Sequence, residues 1–490
     1  MNELILRPMN SVRLGSFVAC LLAGLSLPWA AHGQGGNDLP TLGDASSSLI
    51  SPEMERRIGE DFLKQVRAAL PTVDDPILKY YVEKQVAELA QYSELREAVL
   101  QAILIDNEQI NAFAAPGGVI GINLGLMLHA EDVHEFASVI GHEFAHLSQR
   151  HFARGIEVQR AQTLPTLAAM VAAIMIGAIG GGDAGMAAVS GVQAATQANQ
   201  LRYSRGREQE ADRVGLNTVV RAGLDPQGMV RMFERMHRAY RFTSKPPEFL
   251  LTHPLSETRI ADARSQVLQY GNKRYPRSLD YQMMRNRARL HFADSPESMV
   301  KVFERELREQ PDDEAIQYGL ALALSAAEEH DEAIPLLDRI LTSNPRNILY
   351  SASLAEVLIQ AGKTDQAIAL VERELTINPD NAPLAMLHAE ALIAEGRHRE
   401  AEAVLERQSV VHRDDVDVWY NLAEVSGLAG NIIGVHLARA QFFYLHAAYQ
   451  RALQHLEYAR RLTSQEDEAA VARLNQRIAD LRTKLREQRS

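Results

Sequence analysis

The chain has 490 residues, of which 46% are apolar, so it is too long for a single hydrophobic core and two or three domains are expected. Lysine and arginine number 51 against 63 aspartate and glutamate residues, which gives a net charge of −12. Nucleic acids and anionic membranes favour basic surfaces. The charge balance therefore argues against nucleic-acid binding as the main function.

The N-terminus has the pattern of an export signal. Arg7 and Arg13 form a basic start, residues 14–27 are apolar, and the small residues Ala31 and Gly33 precede Gln34. Residues 1–33 are therefore predicted to be a cleavable signal peptide, and the mature protein is expected in the periplasm.

The only cysteine, Cys20, lies inside this signal. Cleavage there would give a lipoprotein, which is the alternative, although most of the apolar stretch would then lie on the wrong side. After cleavage at residue 33 the mature chain has no cysteine, so a metal site in it must use histidine and carboxylate ligands.

A polar, glycine-rich linker over residues 34–50 leads into the first predicted helix. Ser51-Pro52-Glu53 is a typical helix start, and Met54, Ile58, Phe62 and Val66 then recur every four residues. A second helix is predicted over residues 77–90.

Three short apolar runs predict a small β region. They cover residues 102–105, 111–114 and 119–123, and Pro116-Gly117-Gly118 marks a turn between the last two. From about Glu131 the apolar period becomes helical.

This helix carries His142-Glu143-Phe144-Ala145-His146. Histidines at i and i+4 point from one helical face, and catalytic zinc takes three protein ligands with one position left for water. Glu143 lies beside them and can take the proton of the attacking water without binding the metal. The motif therefore predicts a zinc endopeptidase with one ion per chain.

Two residues compete for the third ligand. His151 lies nine residues after His142, with Gln149 where a related motif needs glycine, and a helix continuing through it would point His151 away from the metal. It is more typical of a packing residue. Glu208 is the better candidate, because Asp212 follows at i+4 and can accept the free N–H of a ligating histidine. Glu210 is expected to project from another side.

Residues Thr163 to Gly182 form an Ala/Gly/Ile/Met run nearly long enough to cross a bilayer. Its small residues and Pro165 favour an apolar hairpin packed near the active site. Peripheral membrane contact is the alternative.

The C-terminal third has a 34-residue period. Pro311, Pro345 and Pro379 keep it, and Ala333, Ala367 and Ala401 keep the same register. Gly362 and Gly396 open the turn before the second helix of their repeats. This period is typical of tetratricopeptide helix pairs.

The next copy of the repeat is irregular. Arg413 replaces proline, and the Tyr449-Gln450-Arg451-Ala452 motif comes 17 residues late. An extra helix is predicted over residues 431–446, followed by a polar capping helix.

The chain resembles the HtpX and CAAX-prenyl-protease superfamily of zinc endopeptidases. The similarity rests on His142-Glu143-x-x-His146, Glu208-x-x-Ala211-Asp212, Thr252-His253-Pro254 and the hairpin that begins at Asn111. It covers about residues 50–270. The chain departs from the integral-membrane members, because it has no clear spanning helix.

The resemblance implies His142, His146 and Glu208 as zinc ligands and Glu143 as the base. It also places His253 near the metal, either to stabilise the oxyanion or to hold the enzyme inactive as a removable ligand. Arg259 would polarise the substrate carbonyl or pair with Glu257.

An extended substrate is expected to pair with the edge of the strand at 119–123. Asn111, Val119 and Gly121 are the expected contacts of this mode, which recognises backbone rather than sequence.

The fold class is therefore α+β: a predominantly helical zincin-type metalloprotease domain with a small β-sheet, followed by an all-α tetratricopeptide-repeat solenoid. The expected boundaries are 51–270 for the protease domain, 271–297 for a connecting helix and 298–490 for the repeats.

Together with the export signal and the repeats, the resemblance implies periplasmic proteolysis of misfolded or stalled substrates in outer-membrane protein quality control and β-barrel assembly. The repeats would recruit the substrate or the assembly machinery. The alternative is a chaperone or assembly factor that acts mainly through the repeats, with proteolysis latent.

Overall fold

The computed structural model describes residues 51–96, 101–154, 205–241, 248–271 and 273–487. The predicted export signal and the apolar run at 163–182 lie outside these ranges. Among the helices within them, none is long and apolar enough to cross a membrane.

Two helices open the described chain, as predicted. Helix α1, Pro52–Ala69, begins after Ser51, whose side chain accepts a hydrogen bond from the backbone N–H of Met54. Helix α2, Pro76–Ala90, begins after Asp75, whose carboxylate caps the first turn. Both bury their apolar faces, and Phe62 of α1 is almost fully enclosed.

The β region is a three-stranded sheet. Its strands are β1, Gln101–Ile105, β2, Ala112–Ala115, and β3, Val119–Asn123, and their order is β1-β3-β2. β3 pairs in parallel with β1 and antiparallel with β2. Gly117 and Gly118 make the predicted turn, with φ of 75° and 83°, where a side chain would be strained.

The order of the strands corrects one prediction. β3 lies in the middle of the sheet, so both of its edges are already paired and the expected edge pairing of substrate at Val119 and Gly121 is wrong. The two outer strands of the sheet are β1 and β2. β2 begins directly after Asn111 and pairs with β3 on the side opposite β1.

The histidine motif lies on helix α4, Val133–Ser148, which follows the short α3, Leu124–His129. Helix α5, Arg205–Arg221, packs across it. The two helices approach through a pair of glycines: a Cβ built on Gly215 would lie 2.8 Å from the carbonyl carbon of Gly141. Since real Cβ atoms do not approach backbone so closely, only glycine permits this crossing.

Four helices complete the first part of the molecule: α6, Gln227–Arg241, α7, Glu248–Thr252, α8, Glu257–Val267, and α9, Leu279–His291. α9 lies within the predicted connecting segment. Its Tyr281 is fully buried and donates a hydrogen bond to the carbonyl of Ala130.

Eleven further helices fill the described part of the chain after α9. They are α10 Pro296–Glu309, α11 Glu314–Ala326, α12 His330–Ser343, α13 Ile348–Gln360, α14 Thr364–Ile377, α15 Ala382–Ala394, α16 His398–Val411, α17 Val416–Leu428, α18 Ile432–Leu445, α19 Tyr449–Leu462 and α20 Glu468–Glu487. From α11 onward each packs on the helix before it, and α11 also packs on α9. The predicted α+β fold with a following helical repeat is confirmed.

The helix predicted over 431–446 exists as α18, but it is not an extra element. The first helices of successive pairs begin at residues 314, 348, 382 and 416, and the second helices at 330, 364, 398 and 432, so both series step by 34. The left-handed turns at Glu328, Gly362, Gly396 and Gly430 keep the same step. α17 and α18 are therefore a regular fourth pair, whose register the sequence hides because Arg413 replaces proline.

A single hydrophobic cluster runs from α2 and the sheet through α9 into the repeats, as far as Ala438. The junction also buries Arg287 of α9, which pairs with Asp75 at the start of α2 and with Glu356 of α13, at 2.6 Å from the latter. Its guanidinium donates a third hydrogen bond to the hydroxyl of Tyr318. The part of the chain up to α9 and the first repeats therefore share one core.

Candidate metal centre

Four side chains from three segments converge beside the crossing of α4 and α5. His142 and His146 come from α4, Glu208 from the first turn of α5, and His253 from the residue after α7. One ligand atom from each lies within 4.8 Å of the other three, and all four residues are buried. The helix crossing at Gly141 and Gly215 sets the distance between the histidine pair and the carboxylate.

The donor atoms that face one another are 3.0–3.6 Å apart where they approach most closely, with Glu208 facing the two histidines of α4 through different carboxylate oxygens. The Nε2 atoms of His142 and His146 are 3.0 Å apart, and Glu208 lies 3.5 Å from the first and 3.6 Å from the second. His253 Nδ1 is 3.4 Å from His142 Nε2. Ligands about 2.0–2.1 Å from a tetrahedral zinc ion are roughly 3.3 Å from one another. The cluster is therefore close to the spacing that a metal ion needs, and its residues could hold one.

A carboxylate and a guanidinium hold this cluster from behind. Asp212 Oδ1 lies 2.9 Å from His142 Nδ1, so the ring is oriented with Nε2 toward the cluster. Arg259 binds both oxygens of Asp212 at 2.7 Å and reaches Glu208 at 3.0 Å. The predicted pairing of Arg259 with Glu257 is not what the structure has: Arg259 is buried and faces the cluster.

The charges of the cluster shift the pKa values of its members in opposite directions. Burial disfavours charge on His142, but hydrogen bonds with Asp212 and Glu208 outweigh it and raise the pKa of His142 to about 9. Burial and the nearby His142 hold the pKa of His146 well below its usual range. Although burial would raise the pKa of Glu208, His253 and His142 keep it well below its ordinary value. The raised pKa of His142 shows that the carboxylates of Asp212 and Glu208 favour a positive charge at this place, and a divalent cation bound there would supply that charge in place of the proton.

Glu143 lies next to the cluster without joining it. Neither oxygen of its carboxylate makes a hydrogen bond with the described residues. Burial raises the pKa of Glu143, and the backbone of Ala114 on β2 is among the groups that oppose this rise. A buried carboxylate with a raised pKa is suited to taking up and returning a proton.

His253 lies between the other members of the cluster and Glu143. Its ring stacks on Phe249, with ring centroids 4.6 Å apart and planes 27° apart. Its Nδ1 faces His142 and Glu208, and its Nε2 lies 3.6 Å from Glu143 Oε1. This geometry is compatible with both roles expected for His253.

The prediction that the helix continues through His151 is wrong. α4 ends at Ser148, and Arg150 has a left-handed backbone with φ of 50°. His151 is turned inward, fully buried, with its Nδ1 2.8 Å from His146 Nδ1. Glu210 does project away from the metal cluster, as predicted, and it contacts His151.

Comparison with known proteins agrees with this geometry. Residues 76–267 match the model of peptidase family M48, and residues 300–348, 318–382 and 358–425 match tetratricopeptide-repeat models. The chain is 33% identical over 304 residues to a putative beta-barrel assembly-enhancing protease of Vibrio cholerae, covering 61% of this chain and 62% of the relative.

Two further relatives match parts of the chain. A beta-barrel assembly-enhancing protease of Escherichia coli is 30% identical over 325 residues, which are 65% of this chain and 66% of the relative. A mitochondrial metalloendopeptidase of Schizosaccharomyces pombe is 27% identical over 216 residues, 43% of this chain and 60% of the relative. The chain thus spans just under two thirds of the length of the bacterial relatives it matches.

The fold, the buried donor cluster and these matches define a metallopeptidase domain followed by a helical repeat. Residues 76–267 are a peptidase family M48 domain, and tetratricopeptide repeats follow it. The resemblance to metal-dependent endopeptidases seen in the sequence is confirmed at this level.

Proposed function

We propose that the protein is a zinc-dependent endopeptidase of the periplasm that cleaves misfolded or stalled outer-membrane proteins during β-barrel assembly. The observation that carries the proposal is the buried convergence of His142, His146, Glu208 and His253, whose ligand atoms lie within 4.8 Å of one another, with the carboxylate of Glu143 beside them. The names of the bacterial relatives support the setting.

In this proposal His142, His146 and Glu208 hold the zinc ion. Bound zinc would supply Lewis acidity, which polarises the scissile carbonyl and makes water a better nucleophile. Glu143 takes a proton from the attacking water and returns it to the leaving amine nitrogen. Arg259 and Asp212 keep Glu208 and His142 in position.

The outer edge of β2, which pairs with no strand among the described residues, is the proposed place for an extended substrate. Asn123 N–H donates to Asn111 C=O, so in the antiparallel register the backbone groups of residues 113 and 115 face β3. Those of Ala112 and Ala114 then point away from β3, on the side where Ala114 approaches Glu143. Pairing there would recognise the peptide backbone, which suits substrates of many sequences.

The repeats are proposed to recruit substrates or the outer-membrane assembly machinery. A cleft of about 550 Å³ lies between the M48 domain and the repeats and is lined from both sides. Lys64 and Arg67 face it from α1, and Asp414 and Asp415 face it from the turn before α17. Such a mixed-charge cleft suits a polar peptide segment.

One observation favours a second function beside proteolysis. His253 lies at the fourth corner of the cluster, and His142, Glu143 and His146 are each at most 3% exposed. A protein whose centre is closed in this way acts first as an assembly factor through its repeats, with proteolysis latent until substrate arrives.

Cleavage of one outer-membrane β-barrel protein, presented unfolded and then folded in detergent, tests the proposal. The natural protein should contain one zinc ion, cleave the unfolded form and spare the folded one. Glu143→Gln should keep the zinc and cleave neither, and Glu208→Gln should lose zinc. A zinc-free natural protein, or equal cleavage by Glu143→Gln, would contradict the proposed chemistry.

A further inference from the structure

A histidine behind the metal cluster has no role in the function proposed so far. His151 lies nine residues after His142 and is fully buried. Its backbone carbonyl accepts a long hydrogen bond from Arg207 at 3.5 Å, and both of its ring nitrogens have side-chain partners.

The backbone is bent to bring this ring inward. Arg150 adopts φ of 50°, which costs a residue with a side chain roughly 1–2 kcal/mol. The guanidinium of Arg150 is tied to Glu55 of α1 at 3.1 Å, which stabilises the bend. Without it, His151 would follow the helix and lie about 140° around the axis from His146, because five residues turn through roughly 500°.

The contacts of His151 form a chain that ends on a metal ligand. Its Nδ1 is 2.8 Å from His146 Nδ1, and its Nε2 is 3.2 Å from Glu210 Oε2. The same oxygen of Glu210 accepts from Arg154 at 3.0 Å. Asp212 stands behind His142 in the same way, at 2.9 Å, but without an intervening ring.

The direction of each hydrogen bond follows from the metal site. If His146 offers the lone pair of Nε2 to the cluster, its neutral ring carries its proton on Nδ1. At 2.8 Å, that N–H needs an acceptor, so His151 Nδ1 must be unprotonated. The proton of His151 then lies on Nε2 and is donated to Glu210.

We propose that His151 is a positioning residue for His146: it accepts the Nδ1–H of His146, is itself oriented by Glu210, and thereby holds Nε2 of His146 toward the metal. Both histidine ligands are then backed by a carboxylate, His142 directly and His146 through one imidazole. The inference rests on the proposed metal site, and the following experiment separates the failure of the two.

Zinc affinity of the full-length protein, measured by competition with a chelator at pH 7.5, tests the role. His151→Leu removes the acceptor while filling the space and should lower the affinity roughly 10–100-fold, the effect usual for such partners of a ligating histidine. His151→Gln keeps an acceptor oxygen and should recover part of that loss. Glu210→Gln keeps an acceptor for His151 but removes its charge, and should cause the smallest loss.

A residue needed only for packing would behave differently. It would lower the unfolding temperature of the metal-free protein while leaving zinc affinity unchanged, and the Leu and Gln variants would not differ in affinity. Either result overturns the inference while the metal site stands. A natural protein that binds no zinc overturns both.

If His151→Leu does not fold, the tautomer of His151 in the natural ring still tests the inference. Nitrogen NMR of the zinc-loaded Glu143→Gln protein, which cannot digest itself under the proposed mechanism, should find His151 protonated at Nε2 and not at Nδ1. A proton on Nδ1 of His151 would overturn the inference.

Discussion

The metal centre and the junction around Arg287 both bury ionised side chains, but they satisfy them differently. At the junction the guanidinium of Arg287 reaches Asp75, Glu356 and the Tyr318 hydroxyl. In the metal centre the carboxylate of Glu143 makes no hydrogen bond with the described residues, and two histidine nitrogens face each other at 3.0 Å.

This difference separates a charge that builds the fold from a charge that is kept for chemistry. Buried charge alone does not mark a functional site, because structural ion pairs are buried as well. A buried polar group that the fold leaves without a partner requires another explanation. For Glu143 that explanation is the proposed proton transfer.

The largest effect is expected when the unmatched carboxylate is neutralised. Glu143→Gln should lower peptide hydrolysis by at least roughly 10²–10⁴-fold, because the base is lost while the ligands remain. Its metal-free form should unfold no earlier than the natural protein, because Gln keeps the shape of Glu143 and removes a charge whose burial is unfavourable. Casein cleavage measures the loss of hydrolysis, zinc content the retention of the ligands, and the unfolding temperature the stability. A destabilised variant would show that Glu143 stabilises the fold, as Arg287 does.

Arg287, whose charge is paired in the fold, should respond in the opposite way: its removal should lower stability. Arg287→Met leaves the partly buried carboxylates of Asp75 and Glu356 without their cation, so the free energy of unfolding should fall by more than the roughly 1 kcal/mol of an exposed pair and by at most the roughly 3–5 kcal/mol of a fully buried one. The control is Arg264→Met, whose partner Glu234 is also partly exposed and whose loss should cost at most about 1 kcal/mol. Denaturant unfolding measures the loss of stability in each variant. Equal losses would show that the ion pairs of Arg287 stabilise the fold no more than an exposed pair does.

Asp212→Asn removes one carboxylate behind the cluster. Zinc affinity should fall by roughly 10–100-fold, because His142 loses the acceptor that orients it. Hydrolysis should fall at limiting zinc and recover when zinc is in excess. A loss that excess zinc does not restore would instead give Asp212 a part in the chemistry itself.

The smallest effect is expected at His253, and its direction depends on which of two roles the residue has. If it is a removable fourth ligand, His253→Ala should keep its zinc and raise basal cleavage several-fold, including self-cleavage. Oxyanion stabilisation would instead lower turnover by roughly two to three orders of magnitude. We expect the increase, and cleavage of a short peptide by the zinc-loaded variant distinguishes the two.

Features with a period or a fixed spacing could be predicted from the sequence. His142 and His146 share a helical face, Asp212 follows Glu208 by one turn, and the structure brings all four together. The 34-residue period gave the helix pairs. In each case local geometry along one helix determines the answer.

Features that depend on how segments meet could not be predicted. The pattern of apolar residues in a strand does not reveal the order of the strands in the sheet. The sequence therefore could not show that β3 is the central strand and not an edge strand. The inward turn of His151 depends on the backbone of Arg150, which no pattern marks. Sequence spacing offers Arg259 either the substrate carbonyl or its neighbour Glu257, but in the folded chain it binds Asp212, 47 residues away in sequence.

The glycine pair at the crossing of α4 and α5 has a consequence for mutational tolerance. Gly215 lies seven residues after Glu208, two turns further along the same face of α5, and has no side chain to offer the reaction. A methyl group there would meet the backbone of Gly141 at 2.8 Å and push apart the helices that carry the histidines and the carboxylate. In a library selected for proteolysis, substitutions at Gly215 should therefore be depleted as strongly as those at Glu208.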